Sequence, residues 1–297
     1  MPRRRAALLI TTTALAILLV PVAITSRQAS APFAQEPLSP PVPVTAHLVL
    51  PFDAHELSGH EIETVESAED RLIGDCMRAQ SLPWKPLPPL TEGDTDPPHL
   101  RRYGLADPYA AARYGYHVLP PTLAQQRRAA VRDARARLPA RQRRAAYGAD
   151  GSTGGCRARA HARMLRHVRP SSAGLLAQYS AQTFDTARRH PDVTAANRRW
   201  SHCMKRSGHP YSDPYRAFAD TAWQAASRPS AHEKSVAQAD VRCKQQTGFL
   251  AVWIRTDRHV QRAAIQAQPA HFRAFAQTRT DLLATARHVL HTSSSLP

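Results

Sequence analysis

Lysine is nearly missing from this chain. Of its forty basic residues only Lys85, Lys205, Lys234 and Lys244 are lysines, and the formal net charge over 297 residues is +17. An arginine-, alanine- and proline-rich composition of this kind is what codon bias in a GC-rich genome produces, so the total charge does not by itself mark a nucleic-acid binder. Aromatic residues make up 6 % and apolar residues 42 %, slightly low for a globular chain. No stretch shows the period-two alternation of a half-buried strand, which leaves an all-α fold as the expectation. Cysteines number four and each stands alone. Structural zinc sites carry Cys or His in pairs two to four apart, so no metal site and no cofactor is expected. "GSTGG" (151–155) lacks the Lys of a phosphate-binding loop and the Gly-x-Ser-x-Gly of a nucleophile elbow. "HELSGH" (55–60) fails as a zinc-protease helix, because His-x4-His sets the second imidazole about 140° round a helix. No catalytic residue is assigned.

What is present begins at the N-terminus. "MPRRR" precedes an uncharged run, "AALLITTTALAILLVPVAI" (6–24). Nineteen residues at ~1.5 Å each nearly span a hydrocarbon core of ~30 Å. Residues 1–31 therefore read as a signal peptide or a signal anchor. Ala29-Ser30-Ala31 fits a cleavage site, with Pro32 disfavouring the cut, and both outcomes stay open. No Cys follows the run, which excludes a lipoprotein anchor. The arginines stay cytoplasmic under the positive-inside rule, so the rest of the chain is expected to be extracytoplasmic, secreted or held to the cell membrane by that single segment. A Pro-rich linker follows (32–57), with Pro32, Pro37, Pro40, Pro41, Pro43 and Pro51 making a semi-extended spacer.

Helical signals then recur. Ser58-Gly59-His60-Glu61 is a capping box, and Ile62, Val65, Leu72, Ile73, Cys76 and Met77 fall on one helical face behind it. Asp107-Pro108 reads as N-cap and first helical residue. Thr122-x-x-Gln125 caps a segment running to about Leu138, and a helix is expected from about Cys156 to Val168. Leu176, Tyr179, Thr183, Phe184 and Ala187 share a face, and Pro191-Asp192 starts the next helix. Ala196, Trp200, Cys203 and Met204 turn inward together. Ser230-Ala231-His232-Glu233 is another capping box, opening a long helix through Leu250 and Trp253 that Pro269 interrupts, with a last helix at about 271–290.

Two passages match. Cys76-Met77-Arg78 leads to Pro83-Trp84, and Cys203-Met204-Lys205 leads to Pro210-Tyr211; Asp107-Pro108-Tyr109 and Asp213-Pro214-Tyr215 follow, then a helix with one more Cys, Cys156 or Cys243. The chain is expected to hold two fused, disulfide-stapled helical units, 58–170 and 171–297. The repeat favours Cys76–Cys156 and Cys203–Cys243; cross-repeat pairing, Cys76–Cys203 with Cys156–Cys243, is the alternative.

Charge is uneven. Residues 53–75 hold eight acidic side chains and one Arg, whereas 127–144 hold Arg127, Arg128, Arg132, Arg135, Arg137, Arg141, Arg143 and Arg144 against Asp133. The plain reading is a solvated helix lying near the acidic one. The functional reading is an anion-binding face for a wall polymer, lipid headgroups or an envelope protein, with no nucleic-acid partner. Tyr103, Tyr109, Tyr114 and Tyr116 admit a sugar-stacking patch or the packing of a short helix.

At "RRYGLADPYAAARYGYH" (101–117), "GGC" (154–156), "CMKRSGHPYSDP" (203–214) and "ADVRCKQQTGFLAVW" (239–253) the chain resembles actinobacterial exported proteins of unassigned function. The resemblance covers most of 60–255 and implies a secreted or anchored, disulfide-containing helical domain; it carries over no site residues. The chain departs from that pattern in its Arg-heavy 127–144 region and in lacking a lipobox. The expectation is a non-enzymatic extracytoplasmic binding or scaffolding protein of the cell envelope. An exported hydrolase acting on wall material is the alternative, and a metal-binding envelope protein a third.

Overall fold

The computed structural model describes residues 47–149 and 154–292, all inside one compact unit that spans Pro40–Pro297. The apolar run at 6–24, the cleavage signal and the linker up to residue 46 lie outside the described residues. The described residues are helical, with no strand among them: α1 Gly59–Arg78, α2 Pro108–Tyr114, α3 Leu123–Ala136, α4 Ala140–Tyr147, α5 Gly155–Leu165, α6 Ala173–Arg189, α7 Pro191–Arg206, α8 Pro214–Phe218, α9 Thr221–Gln224, α10 Ala231–Gln246, α11 Phe249–Ala267 and α12 Pro269–Thr292. The all-α expectation holds.

Helix starts follow local chemistry. Ser58 and Glu61 satisfy each other's backbone N–H at the head of α1, and Thr122 and Gln125 do so at α3. Asp107 and Asp213 cap α2 and α8 ahead of a Pro that has no N–H to lose. Ser230 also accepts from Glu233 N–H, but the reciprocal half of the expected box is absent: Glu233 is fully buried and its carboxylate turns inward, to Tyr116 and His117. The long helix expected from 231 to Pro269 is two. It breaks at Gly248, which takes φ +63° with open space where a Cβ would stand. α4 was not expected at all.

The repeated Cys-Met passages end their helices in the same way. At the end of α1, Leu82 N–H donates to Met77 O and Ser81 N–H to Arg78 O; after α7, His209 N–H donates to Met204 O and Gly208 N–H to Lys205 O. These are paired Schellman stops. Their left-handed residues are Ser81 (φ +51°) and Gly208 (φ +82°), at the same place in each repeat. Disulfides then join Cys76 to Cys156 and Cys203 to Cys243, the arrangement the repeat favours. In the loop-entropy account each is worth about 4 kcal/mol.

Two main cores form, one around each disulfide. The first packs Leu72, Ile73 and Met77 of α1 on Ala160 and Met164 of α5 and on Ala286 and Val289 of α12. The second joins α7, α10 and α11 through Trp200, Met204, Val236, Phe249 and Trp253, and takes in Tyr103, Leu105 and Tyr116. Both therefore draw on both sides of residue 170. A smaller cluster seats Phe52 against Phe272 and Phe275. Between α4 and α5 the backbones nearly touch: a Cβ on Gly148 would lie 2.7 Å from Gly154, and one on Gly155 2.5 Å from the Ala145 carbonyl. That close approach explains why Gly148, Gly154 and Gly155 carry no side chain.

Among the described residues three carboxylates are fully buried. Asp240, fully buried, accepts from Trp200 Nε1 at 2.9 Å, Tyr116 Oη at 3.2 Å and Lys244 Nζ at 3.1 Å, while Lys244 also donates to Leu105 O at 2.7 Å. Burial pushes the Asp240 carboxyl up and the Lys244 ammonium down, and their contact opposes both shifts. Asp257 accepts from Arg102 Nε and Tyr103 Oη, both at 2.7 Å, and from Gln261 Nε2 at 3.0 Å. Glu233 is the third.

Candidate functional site

A groove of about 840 Å³ runs between α6, α12 and the segment leading into α1. Its walls are apolar: Leu57, Ile62, Leu176, Phe184, Phe275 and Leu282. They meet there because α6 packs on α11 and α1 on α12, leaving a cleft where the two pairs diverge. Ile62, expected on the buried face of α1, is instead 45 % exposed as part of this cleft.

Four titratable side chains line the groove: His55, Glu56, Arg102 and Arg279. Arg102 is held by the buried Asp257, and Arg279 by Glu61. His55 Nδ1 meets the Phe272 carbonyl at 2.9 Å, and an oxygen that only accepts fixes that nitrogen as the donor. Burial lowers the His55 pKa, with the carbonyl pulling the other way and Arg279 adding to the fall. The imidazole is therefore neutral at pH 7, with its lone pair on Nε2. Glu56 has no hydrogen bond or ion pair for its carboxylate among the described residues. Burial raises its pKa, Arg102 draws it back and Asp53 adds to the rise. No hydrogen bond joins the His55 imidazole to the Glu56 carboxylate.

The remaining sequence expectations resolve by location. The basic segment does lie along the acidic helix. Arg128, 1 % exposed, pairs with Glu63 at 2.7 Å and Glu66 at 3.1 Å; Arg132 shares Glu66; Arg135 bonds Asp70 at 2.6 Å and stacks 4.1 Å over Trp84. Those three guanidiniums serve packing between α3 and α1. Arg127, Arg141, Arg143 and Arg144 are exposed, and no carboxylate among the described residues pairs with them. Arg141 and Arg144 border a separate basin of about 540 Å³ beside Gln80 and Leu82. The seven arginines thus divide into three paired with α1 and four exposed. The tyrosines also part company: Tyr103 and Tyr116 are buried in polar networks, while Tyr109 and Tyr114 meet edge-on at 6.4 Å on the surface. His60 is exposed, away from the His55 contact. No group of three His, Cys, Asp or Glu side chains among the described residues is placed to hold a metal.

The groove escaped the sequence reading because its wall comes from residues 55–62, 102, 171–184 and 275–282. The Leu176–Phe184 stripe of α6 and Ile62 on the α1 face were visible, but not that they meet. Nor was any signal present that Glu56, one of eight acidic residues within 53–75, would be the one whose carboxylate has no hydrogen bond or ion pair among the described residues. Among the described residues no helix is long and apolar enough to cross a membrane. Compared with protein-family models, curated proteins and solved structures, the chain matches none.

Proposed function

We propose that the protein is an extracytoplasmic binding module of the cell envelope, and that the α6–α12 groove seats an amphipathic ligand with an apolar body and a cationic or N–H-bearing head. The observation that carries the reading is Glu56. With Arg102 and Arg279 already matched by Asp257 and Glu61 and with His55 neutral, the groove keeps one charge to offer, a carboxylate above an apolar bed. Ligand sites of this size are concave and apolar with a few placed polar groups. Two disulfides support an oxidising compartment, and the "MPRRR" head with its uncharged run supports export or anchoring there.

Decylamine and decanoate test the groove directly by calorimetric titration. Decylamine is expected to bind about tenfold more tightly than decanoate. Glu56→Gln should remove that preference, since a matched charge in a half-buried site is worth on the order of 1–2 kcal/mol, and Leu176→Arg should block both ligands. Equal affinity for both probes in the parent protein would sink the charge argument, and binding that survives Leu176→Arg would move the site elsewhere. Compartment is checked by a non-reducing peptide map of the protein taken from its own envelope, where the Cys76–Cys156 and Cys203–Cys243 peptides should appear linked.

A further inference from the structure

The two disulfides are built differently, although the repeat that carries them is the same. Cys203 and Cys243 both stand in the last turn of their helices, α7 and α10, and are 4 % and 1 % exposed. Cys76 also stands in the last turn of its helix, α1, but its partner Cys156 is the second residue of α5. The positive end of a helix dipole stabilises a thiolate in the first turn, and the negative end disfavours one in the last. The first bridge is therefore polar in a sense that the second is not.

Side chains add to the asymmetry. Gln80 Nε2 donates to the Cys76 carbonyl at 3.1 Å, an acceptor that fixes this end of the amide as the nitrogen. The same Nε2 lies 3.1 Å from Cys156 Sγ and 3.7 Å from Cys76 Sγ. Arg159 Nη2 reaches Cys156 Sγ at 3.6 Å. Cys156 is fully buried, whereas Cys76 is only partly so, and its contact with Gln80 lies at the surface. The exposed member of the pair is thus the one that an incoming thiolate meets, and the buried member has the donors for negative charge. Gln80 also borders the basin that holds Arg141 and Arg144. Those two and Arg157 are exposed, and no carboxylate among the described residues pairs with them. Asp75, next to Cys76 in the chain, is already matched by Arg71 and Arg78. The surplus of positive charge favours a thiol that carries a negative group.

We infer that Cys76–Cys156 is a site of thiol–disulfide exchange with a small anionic thiol. The thiolate attacks Cys76 Sγ and forms a new S–S bond there. The Cys76–Cys156 bond breaks, and its electron pair leaves on Cys156 Sγ as a thiolate held by Gln80, Arg159 and the head of α5. A second thiolate then takes the first from Cys76. Two thiols are oxidised to one disulfide, and the two cysteines end with the protons those thiols gave up on ionising. The site stands on different atoms from the α6–α12 groove and does not depend on it.

Two reductants with similar thiols and different charge, 2-mercaptoethanesulfonate and 2-mercaptoethanol, test this on the folded protein near neutral pH. Samples are stopped with acid, free thiols are alkylated and the peptides are mapped by mass. Cys76–Cys156 should open about tenfold faster than Cys203–Cys243, with the reductant's adduct on Cys76 and the alkyl label on Cys156. Per thiolate, the sulfonate should react severalfold faster than the alcohol in low salt and lose that lead in high salt. Arg141→Gln combined with Arg144→Gln should remove the lead, and Arg159→Gln should slow both reagents. Two bridges that open at one rate mean that reduction waits for the whole body to unfold, which overturns the site. An adduct on Cys156 in place of Cys76 overturns it as well. Equal rates for the two reagents in low salt overturn the choice of an anionic thiol.

Discussion

Single residues carry most of the pH behaviour. His117 places Nδ1 2.8 Å from Glu233 Oε1 and Nε2 2.9 Å from the Ala226 carbonyl. Both neighbours are acceptors, so both ring nitrogens must donate and the imidazolium is the form that fits. Its pKa is raised above 6.5, first by the Ala226 carbonyl and then by Glu233. A folded-state pKa above the unfolded one means the contribution is complete below about pH 6.5 and is lost as pH rises through the folded value. Urea midpoints of the parent and of His117→Asn should therefore differ more at acid than at alkaline pH; a constant gap would show that the ring is neutral throughout. Lys244 makes a sharper case. Lys244→Met strands Asp240 in the core and leaves the Leu105 carbonyl without its donor, and removing one member of such a pair costs ~3–5 kcal/mol. Chemical denaturation measures it, and a loss under ~1 kcal/mol would mean that water reaches Asp240. None of this was legible in the chain. Glu233 reads as a capping residue because Ser230 stands three before it, and only the arrival of Tyr116 and His117, more than a hundred positions away, turns its carboxylate inward.

Elements were far more legible, because what starts and stops a helix is local. Ser58, Asp107, Thr122, Asp213 and Ser230 all cap where three- or four-residue patterns place them. The misses were also local in kind. Gly248 ends one helix inside an unbroken apolar stripe, and α4 hid in an arginine run whose periodicity is too poor to show a face. The twin Schellman stops make a prediction at this scale. Ser81 holds a left-handed conformation that its counterpart Gly208 takes without strain, and a non-glycine residue there costs ~1 kcal/mol. Ser81→Gly should raise Tm by a few degrees in calorimetry, whereas Gly208→Ser should lower it by a similar amount. The opposite sign for either would mean that the hydrogen bonds of the stop, and not its backbone angles, set its stability. Gly155→Ala should be worse than both, since the new Cβ would lie 2.5 Å from a backbone oxygen that cannot rotate away and α4 and α5 would have to part. Overpacking of this kind costs ~1–3 kcal/mol, and loss of protection in the α4 amides would localise it.

At the scale of the whole molecule the two halves of the sequence are entwined. α2 leans on α10, and α12 returns to close the core begun by α1 and α5. Replacing Cys203 and Cys243 with Ser should cost ~2–5 kcal/mol and shift the Tm of the entire body as a single transition, because no core stands on one half alone. Two separated transitions would contradict that. The bridges have a further consequence for how the chain is made. Each cysteine is joined to the next one along, Cys76 to Cys156 and Cys203 to Cys243. For a polypeptide threaded N-terminus first into an oxidising space, the order of arrival is then also the correct order of joining. An oxidase that simply couples each new thiol to the one already waiting produces the native set, and a shuffling enzyme is dispensable. Yet α12, the last helix to arrive, still has to seat on α1 before the first bridge is enclosed, so correct bonding comes early and burial comes last.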